Sequence, residues 1–210
     1  MHLLYNFQRC LNATYTHTEE SGDYAISVNG KKVYLMFQHS SGCADWKNNL
    51  DFPAKPYHNM NGIWFCHRGF LRVWKAMKDI IENEVEAIIA KKTYVKEIIC
   101  IGYSHGAALS LFATEDMFFK YGDKIKVSGY GYGCPRVVFG ILPRSVKERF
   151  VNFNVIRNIP DLVTHLPPAL LLYHHVGNMI EIGERGKYTP IQAHTSQAYI
   201  DSLKKYKIYI

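Results

Sequence analysis

From Phe70 onward, apolar residues recur at Val73, Trp74, Met77, Ile80, Ile81, Val85, Ile88 and Ile89, with Arg72, Lys75, Lys78, Glu82 and Glu86 between them. That is the 3.6-residue period of a long amphipathic helix. A short run, Glu97 to Ile101, reads as a buried strand, and His105 to Tyr121 reads as a helix stopped by Gly122. Upstream, Tyr24–Val28 and Lys31–Phe37 flank Asn29-Gly30, which predicts a β-hairpin. Ile125–Tyr132 and Val151–Ile156 are further strands. Leu171–Val176 and Met179–Ile182 predict a second hairpin around Gly177-Asn178, and His194–Tyr206 a last helix. A helix near Leu3–Leu11 precedes all of these. Residues 38–62 show little periodicity and read as a long functional loop.

Strands alternating with helices place the chain in the α/β class. Its 210 residues with 48% hydrophobic content suit one domain over 1–210 with a true core. The formal charge is +7, from 25 Lys and Arg against 18 Asp and Glu. The cations are scattered, as at Lys31-Lys32, Lys91-Lys92 and Lys204-Lys205, with no basic stripe interleaved with aromatics. This reads first as a solvated basic surface, with peripheral contact with an anionic membrane surface as the alternative, and argues against nucleic acid as a partner. Five cysteines, Cys10, Cys43, Cys66, Cys100 and Cys134, show no C-x-x-C spacing, so neither a disulfide frame nor a metal site is expected. No run approaches the ~18 apolar residues of a membrane span, and MHLLYNFQRCLNATY does not read as a signal peptide. The expectation is a cytoplasmic monomer.

The stretch IICIGYSHGAALSLF breaks a buried strand at Gly102-Tyr103-Ser104-His105-Gly106 and resumes as a helix. A G-x-S-x-G of this composition arises by chance in roughly one chain in fifteen of this length. In a strand-to-helix context it is the setting of a nucleophilic serine, held in a strained turn with glycines where neighbouring backbone passes close. The first amides of the following helix, His105 N–H among them, lack acceptors within the helix and favour negative charge beside Ser104.

Such a serine needs a base, and the base an orienting acid, in the chain order Ser, acid, His. Asp161 follows a strand and fits the acid; Asp123, in a Gly-Asp turn beside Lys124, reads as surface. Of the later histidines, His165 lies too near Asp161 to return on a separate loop. His174 and His175 fall in a strand-like segment, where either could be a core histidine. His194 stands at a loop-to-helix junction. His194 is the leading base, with His175 the alternative.

The set MFQHSSGCADWKNNLDF, CHRGFLRVW, IGYSHGAAL, YGYGCPRVV, VIRNIPDLVTHLPP, YHHVG and AHTSQAYIDSL, in order from about Phe37 to His194, resembles the class 3 (fungal-type) lipases. The resemblance implies an α/β-hydrolase fold, a central mostly parallel sheet flanked by helices. It implies a serine ester hydrolase acting on lipid esters, acylglycerol or phospholipid, through an acyl-enzyme and without metal or organic cofactor. Ser104 would be nucleophile, Asp161 acid and His194 base. Ser40 and His105 would form the oxyanion hole, Asp45 would brace Ser40, and Ser41–Leu50 would occupy the place of a lid. Gln38-His39 departs from the family's Arg-Gly, which raises the alternative of a lipase-like protein that binds lipid or a protein without cleaving. The turn Gly133-Cys134-Pro135-Arg136 reads as structural.

Overall fold

In the computed structural model, residues 3–18, 23–38, 51–59 and 62–206 are described. A seven-stranded sheet forms the centre. It comprises β1 (Thr16–His17), β2 (Asp23–Asn29), β3 (Lys32–Phe37), β6 (Glu97–Tyr103), β7 (Lys126–Tyr132), β9 (Phe153–Asn158) and β11 (Asn178–Ile182), in that spatial order. The first three strands pair antiparallel and the rest run parallel from β3 to β11. A smaller antiparallel sheet has the order β10 (Tyr173–His174), β8 (Val138–Phe139), β5 (Gly62–His67), β4 (Ala54–Asn59). Helices α2 (Arg68–Lys91) and α3 (His105–Tyr121) cover one face of the large sheet, while α1 (Leu3–Leu11) and α5 (Ser196–Tyr206) cover the other. A one-turn helix, α4 (Arg144–Lys147), precedes β9.

Each face buries its own apolar cluster. Trp74, Met77, Ile81 and Val85 of α2 meet Phe112 and Met117 of α3, Trp64 of β5 and Ile98 of β6 on one side. Phe7 of α1 and Tyr199 of α5 meet Tyr103, Tyr132 and Ile156 on the other. The alternation of β6 explains this: Ile98 and Cys100 face the first cluster, Ile99 and Ile101 the second. With both faces covered, the strand reads as an unbroken apolar run.

The hairpin between β2 and β3 is present, with Asn29 paired to Lys32, so its loop is Gly30-Lys31. Gly30 has φ +57, the conformation that the first loop position of a II′ hairpin requires. Two expectations change. Residues 38–62 hold the strand β4 and the start of β5, masked in the sequence by Pro56, which is tolerated because β4 is the edge of its sheet. The hairpin predicted around Gly177-Asn178 does not form. Tyr173–His174 joins the small sheet, and Asn178–Ile182 pairs parallel with β9. Gly177, at φ +80, is required for another reason: a Cβ there would lie 2.2 Å from the Phe153 carbonyl oxygen.

The large apolar face also encloses ions. Glu115 and Asp116 of α3 are fully buried. Arg149 Nη1 donates to Glu115 Oε1 (2.7 Å), and Asn59 Nδ2 to Glu115 Oε2 (2.8 Å). Lys78 of α2 lies 3.3 Å from Asp116 and 3.5 Å from Glu82. Burial, and then the neighbouring Glu82 carboxylate, push Asp116 up to about 7. Burial raises the Glu115 carboxyl as well, against its bonds to Asn59 and Arg149.

Candidate active site

Strand β6 delivers Ser104 into a turn with φ 56 and ψ −120, outside the regions open to ordinary side chains. Holding a serine there costs about 1–3 kcal/mol, which the surroundings must impose. They do so through Ser104 N–H, which donates to the Tyr132 carbonyl (2.8 Å), and through Ala107 N–H, which returns to the Ser104 carbonyl (3.0 Å). The flanking glycines are obligatory. A Cβ on Gly102 would stand 1.9 Å from the Gly106 oxygen, and one on Gly106 would stand 2.3 Å from Phe37 O and 2.4 Å from Gln38 O. The second contact also locates the end of β3: its backbone lies against the first turn of α3, beside the serine.

Ser104 Oγ is 2.8 Å from His194 Nε2, and His194 Nδ1 is 2.8 Å from Asp161 Oδ2. Three segments far apart in sequence therefore meet in one line of hydrogen bonds. Asp161 follows the end of β9 and is fully buried. Its Oδ1 accepts the Val163 N–H (2.8 Å), and its Oδ2 also accepts the Tyr199 hydroxyl (2.7 Å). A carboxylate sealed from water is tolerable because each oxygen has donors. With Asp161 ionised, Nδ1 of His194 is the protonated nitrogen, and Nε2 faces the serine as an acceptor.

His194 sits in a single 3-10 turn, Gln192–His194, just ahead of α5 rather than within it. Several residues hold it that the sequence did not single out. Asn158 Nδ2 donates to the Ala193 carbonyl (2.9 Å), while Ser202 Oγ donates to Asn158 Oδ1 (2.9 Å). The Tyr103 hydroxyl donates to the His194 carbonyl, and its ring lies 5.4 Å from the imidazole. Gly133, at φ +59, lies against both partners: a Cβ there would be 2.9 Å from His194 Cε1 and 3.2 Å from Asp161 Oδ2. The turn it opens, read from sequence as structural, thus also forms a wall of the site. Tyr103 was visible as the variable position of the serine motif. No sequence signal links Asn158 or Tyr199 to this site.

The remaining candidates fall elsewhere. His175, the alternative base, gives Nε2 to the Thr164 carbonyl (2.8 Å) and not to the serine. Burial, with Arg136 and Arg157 nearby, lowers it to about 4. His105 opens α3, so its amide belongs to the turn next to Ser104, while its buried ring packs edge-on against Phe70 with centroids 5.4 Å apart. Ser40, Asp45 and the segment Ser41–Leu50 lie outside the described residues. No group of three or more metal-type side chains occurs among the described residues.

Residues 34–171 match the family model for lipase (class 3). The chain belongs to the class 3 lipase family. Within that family it is 27% identical over 164 residues to a secreted mono- and diacylglycerol lipase A of Penicillium cyclopium, covering 77% of this chain and 51% of that protein. It is 31% identical over 117 residues to a secreted alkaline triacylglycerol lipase of the same organism, covering 53% and 40%. The structure of the Rhizomucor miehei triacylglyceride lipase superposes with a TM-score of 0.70 at 22% identity, covering 80% of this chain and 65% of that one. The fold is therefore the α/β-hydrolase fold, as the family resemblance implied. The chain spans about half the length of the curated relatives it matches.

These findings correct the expectation of a cytoplasmic protein, because the matched relatives are secreted. The cysteines did not bear on the compartment. Cys10, Cys66, Cys100 and Cys134 are free and buried, and burial raises each thiol, Cys10 to about 11 and Cys100 to about 12. Thiols so shielded persist in either redox environment.

Proposed function

We propose that this chain is a serine ester hydrolase acting on lipid esters, with Ser104 as nucleophile, His194 as general base and Asp161 as the acid that orients it. The observation that carries the reading is the continuous line Ser104 Oγ, His194 Nε2, His194 Nδ1, Asp161 Oδ2, with both links at 2.8 Å. His194 takes the serine proton as Oγ attacks the ester carbonyl, and Asp161 stabilises the imidazolium that forms. His194 then protonates the departing alcohol. Water, deprotonated by the same imidazole, clears the acyl-enzyme. The oxyanion is assigned to the His105 N–H, at the start of α3, and to Ser40, the residue matching the family's first donor. One such donor contributes about 3–4 kcal/mol to the transition state. This chemistry uses no metal or organic cofactor.

The relatives support acylglycerols as the substrate class and an extracellular setting, since they are named as secreted mono-, di- and triacylglycerol lipases. The activated geometry favours hydrolysis over the lipase-like binding protein that the Gln38-His39 departure suggested. Two measurements test the assignment. Ser104→Ala is expected to abolish hydrolysis of a p-nitrophenyl ester while leaving thermal unfolding cooperative, and a fluorophosphonate probe is expected to label the native chain at Ser104. Persistent turnover in the alanine variant, or failure of the probe to react, refutes it.

A further inference from the structure

A second charged recess lies outside the serine site. A cavity of about 430 Å³ opens beside the loop that carries Asp161. Ile159 and Pro160 form one wall, and Arg157, His165, Glu181 and Arg185 line the rest. Arg157 and Glu181 are cross-strand neighbours on β9 and β11 and pair with each other. That contact neutralises one cation. Arg185 is exposed and, among the described residues, pairs with no carboxylate. Arg136 stands close by with its charge likewise unmatched by a carboxylate: Nη1 donates to the His165 carbonyl (2.6 Å) and the Pro167 carbonyl (3.0 Å).

Arg136, Arg157 and Arg185 outnumber the two carboxylates beside them, Glu181 and the buried Asp161, so this corner carries a net positive charge. Burial, followed by the Arg157 and Arg136 charges, depresses the His165 imidazole; burial and Arg157 together lower Arg136. An anion seated among these groups relieves their mutual repulsion, and guanidinium forks match phosphate oxygens in pairs.

The adjoining loops carry bare apolar side chains. Leu162 is 45% exposed, Leu166 36% and Ile191 77%. They belong to the same loops as the recess: Leu162 N–H donates to the Pro190 carbonyl (3.1 Å), and Leu166 follows His165. Cations in a recess, with bare leucine and isoleucine on the adjoining loops, fit a charged head group whose acyl chains lie against those loops. A soluble anion gains nothing from those apolar side chains.

We propose that this cavity binds the phosphate of an anionic membrane lipid, as a head-group site separate from Ser104. The inference concerns adsorption, so it stands or falls independently of ester hydrolysis. The site lies at the end of β9 that delivers Asp161, so a lipid held there brings the serine to the membrane surface.

The test is pelleting of the full chain with phosphatidylcholine vesicles alone, with added phosphatidic acid, and with added oleate. Binding is expected to rise with phosphatidic acid and to exceed that with oleate at equal charge. Arg185→Gln is expected to weaken this binding about five-fold. Lys96→Gln, just ahead of β6 at the opposite end of the sheet, removes the same charge and is expected to leave it unchanged. Arg157→Gln combined with Glu181→Gln preserves net charge and is expected to weaken binding nonetheless. Equal losses in the Arg185 and Lys96 variants, or equal binding to oleate vesicles, would reduce the effect to general charge and overturn the site. Inorganic phosphate displacing the chain from vesicles at micromolar concentration would assign the cavity to a soluble anion and overturn the lipid. Fluorophosphonate labelling of Ser104 is expected to be the same in all three variants, which keeps failure here apart from failure of the hydrolase reading.

Discussion

Replacing Gly133 by alanine puts one methyl group into the space shared by the base and the acid. The new Cβ would lie 2.9 Å from His194 Cε1, 3.1 Å from His194 Nδ1 and 3.2 Å from Asp161 Oδ2. Ordinary contact begins near 3.4 Å, so the imidazole must retreat by about half an ångström. A misplacement of 1 Å costs about a hundred-fold in rate, so half of that corresponds to about ten-fold in kcat. The φ of +59 adds a backbone penalty of about 1–2 kcal/mol to stability. The two effects separate with Gly140→Ala. Gly140 has φ +69, but a Cβ there meets nothing within 4 Å. Both variants are expected to lose similar stability in thermal unfolding, while only Gly133→Ala loses kcat on a soluble p-nitrophenyl ester and reacts slowly with a fluorophosphonate. If the two variants keep equal activity, the packing of Gly133 against the relay is not what positions it, and the reasoning fails.

Tyr199→Phe removes the hydroxyl that donates to Asp161 and accepts from the Asn158 N–H (3.1 Å), and is expected to lower kcat about ten-fold with KM little changed; unchanged kcat on the same ester would refute it. Arg149→Met leaves Glu115 buried without its cation, and urea unfolding is expected to show a loss of about 3–5 kcal/mol. Asp116 titrates near 7 when folded against an ordinary 3.8. Its folded value is raised, so the stability it contributes is complete below about pH 4 and is lost as pH rises through 7. Urea midpoints of the parent are expected to fall across that window, and those of Asp116→Asn to change less. A thiol reagent at neutral pH is expected to leave Cys10, Cys66, Cys100 and Cys134 unmodified until denaturant is added, with mass mapping as the check.

The helices were legible because their period survives in sequence: α2 shows alternating apolar and charged faces, and the elbow before α3 announces itself through two glycines. What depended on partners distant in sequence was not. Strand β4 hid behind a proline that only an edge position permits. Gly177 looked like a hairpin turn, yet its lack of a side chain serves the passage of β11 beside the start of β9. At the site, the serine, the aspartate and the histidine could be nominated from residue type, chain order and local context. His194 was separated from His175 only by where its loop lands. Of the residues that hold them, Gly133 was legible only as part of a structural turn, and Asn158 and Tyr199 acquire meaning only through contacts made across the fold.

The tether through Asn158 couples two loops that could otherwise drift apart. The turn bearing His194 hangs from the last residue of β9, the strand that leads to Asp161, and Ser202 holds the same amide. Displacement of either loop drags its companion, so geometry between proton donor and acceptor is conserved while the surroundings deform. Exposed chain between Glu184 and Lys187 lies beyond that tie. Insertions or exchanges there would leave the link between the two loops in place while reshaping the recess that Arg185 and Gly186 line.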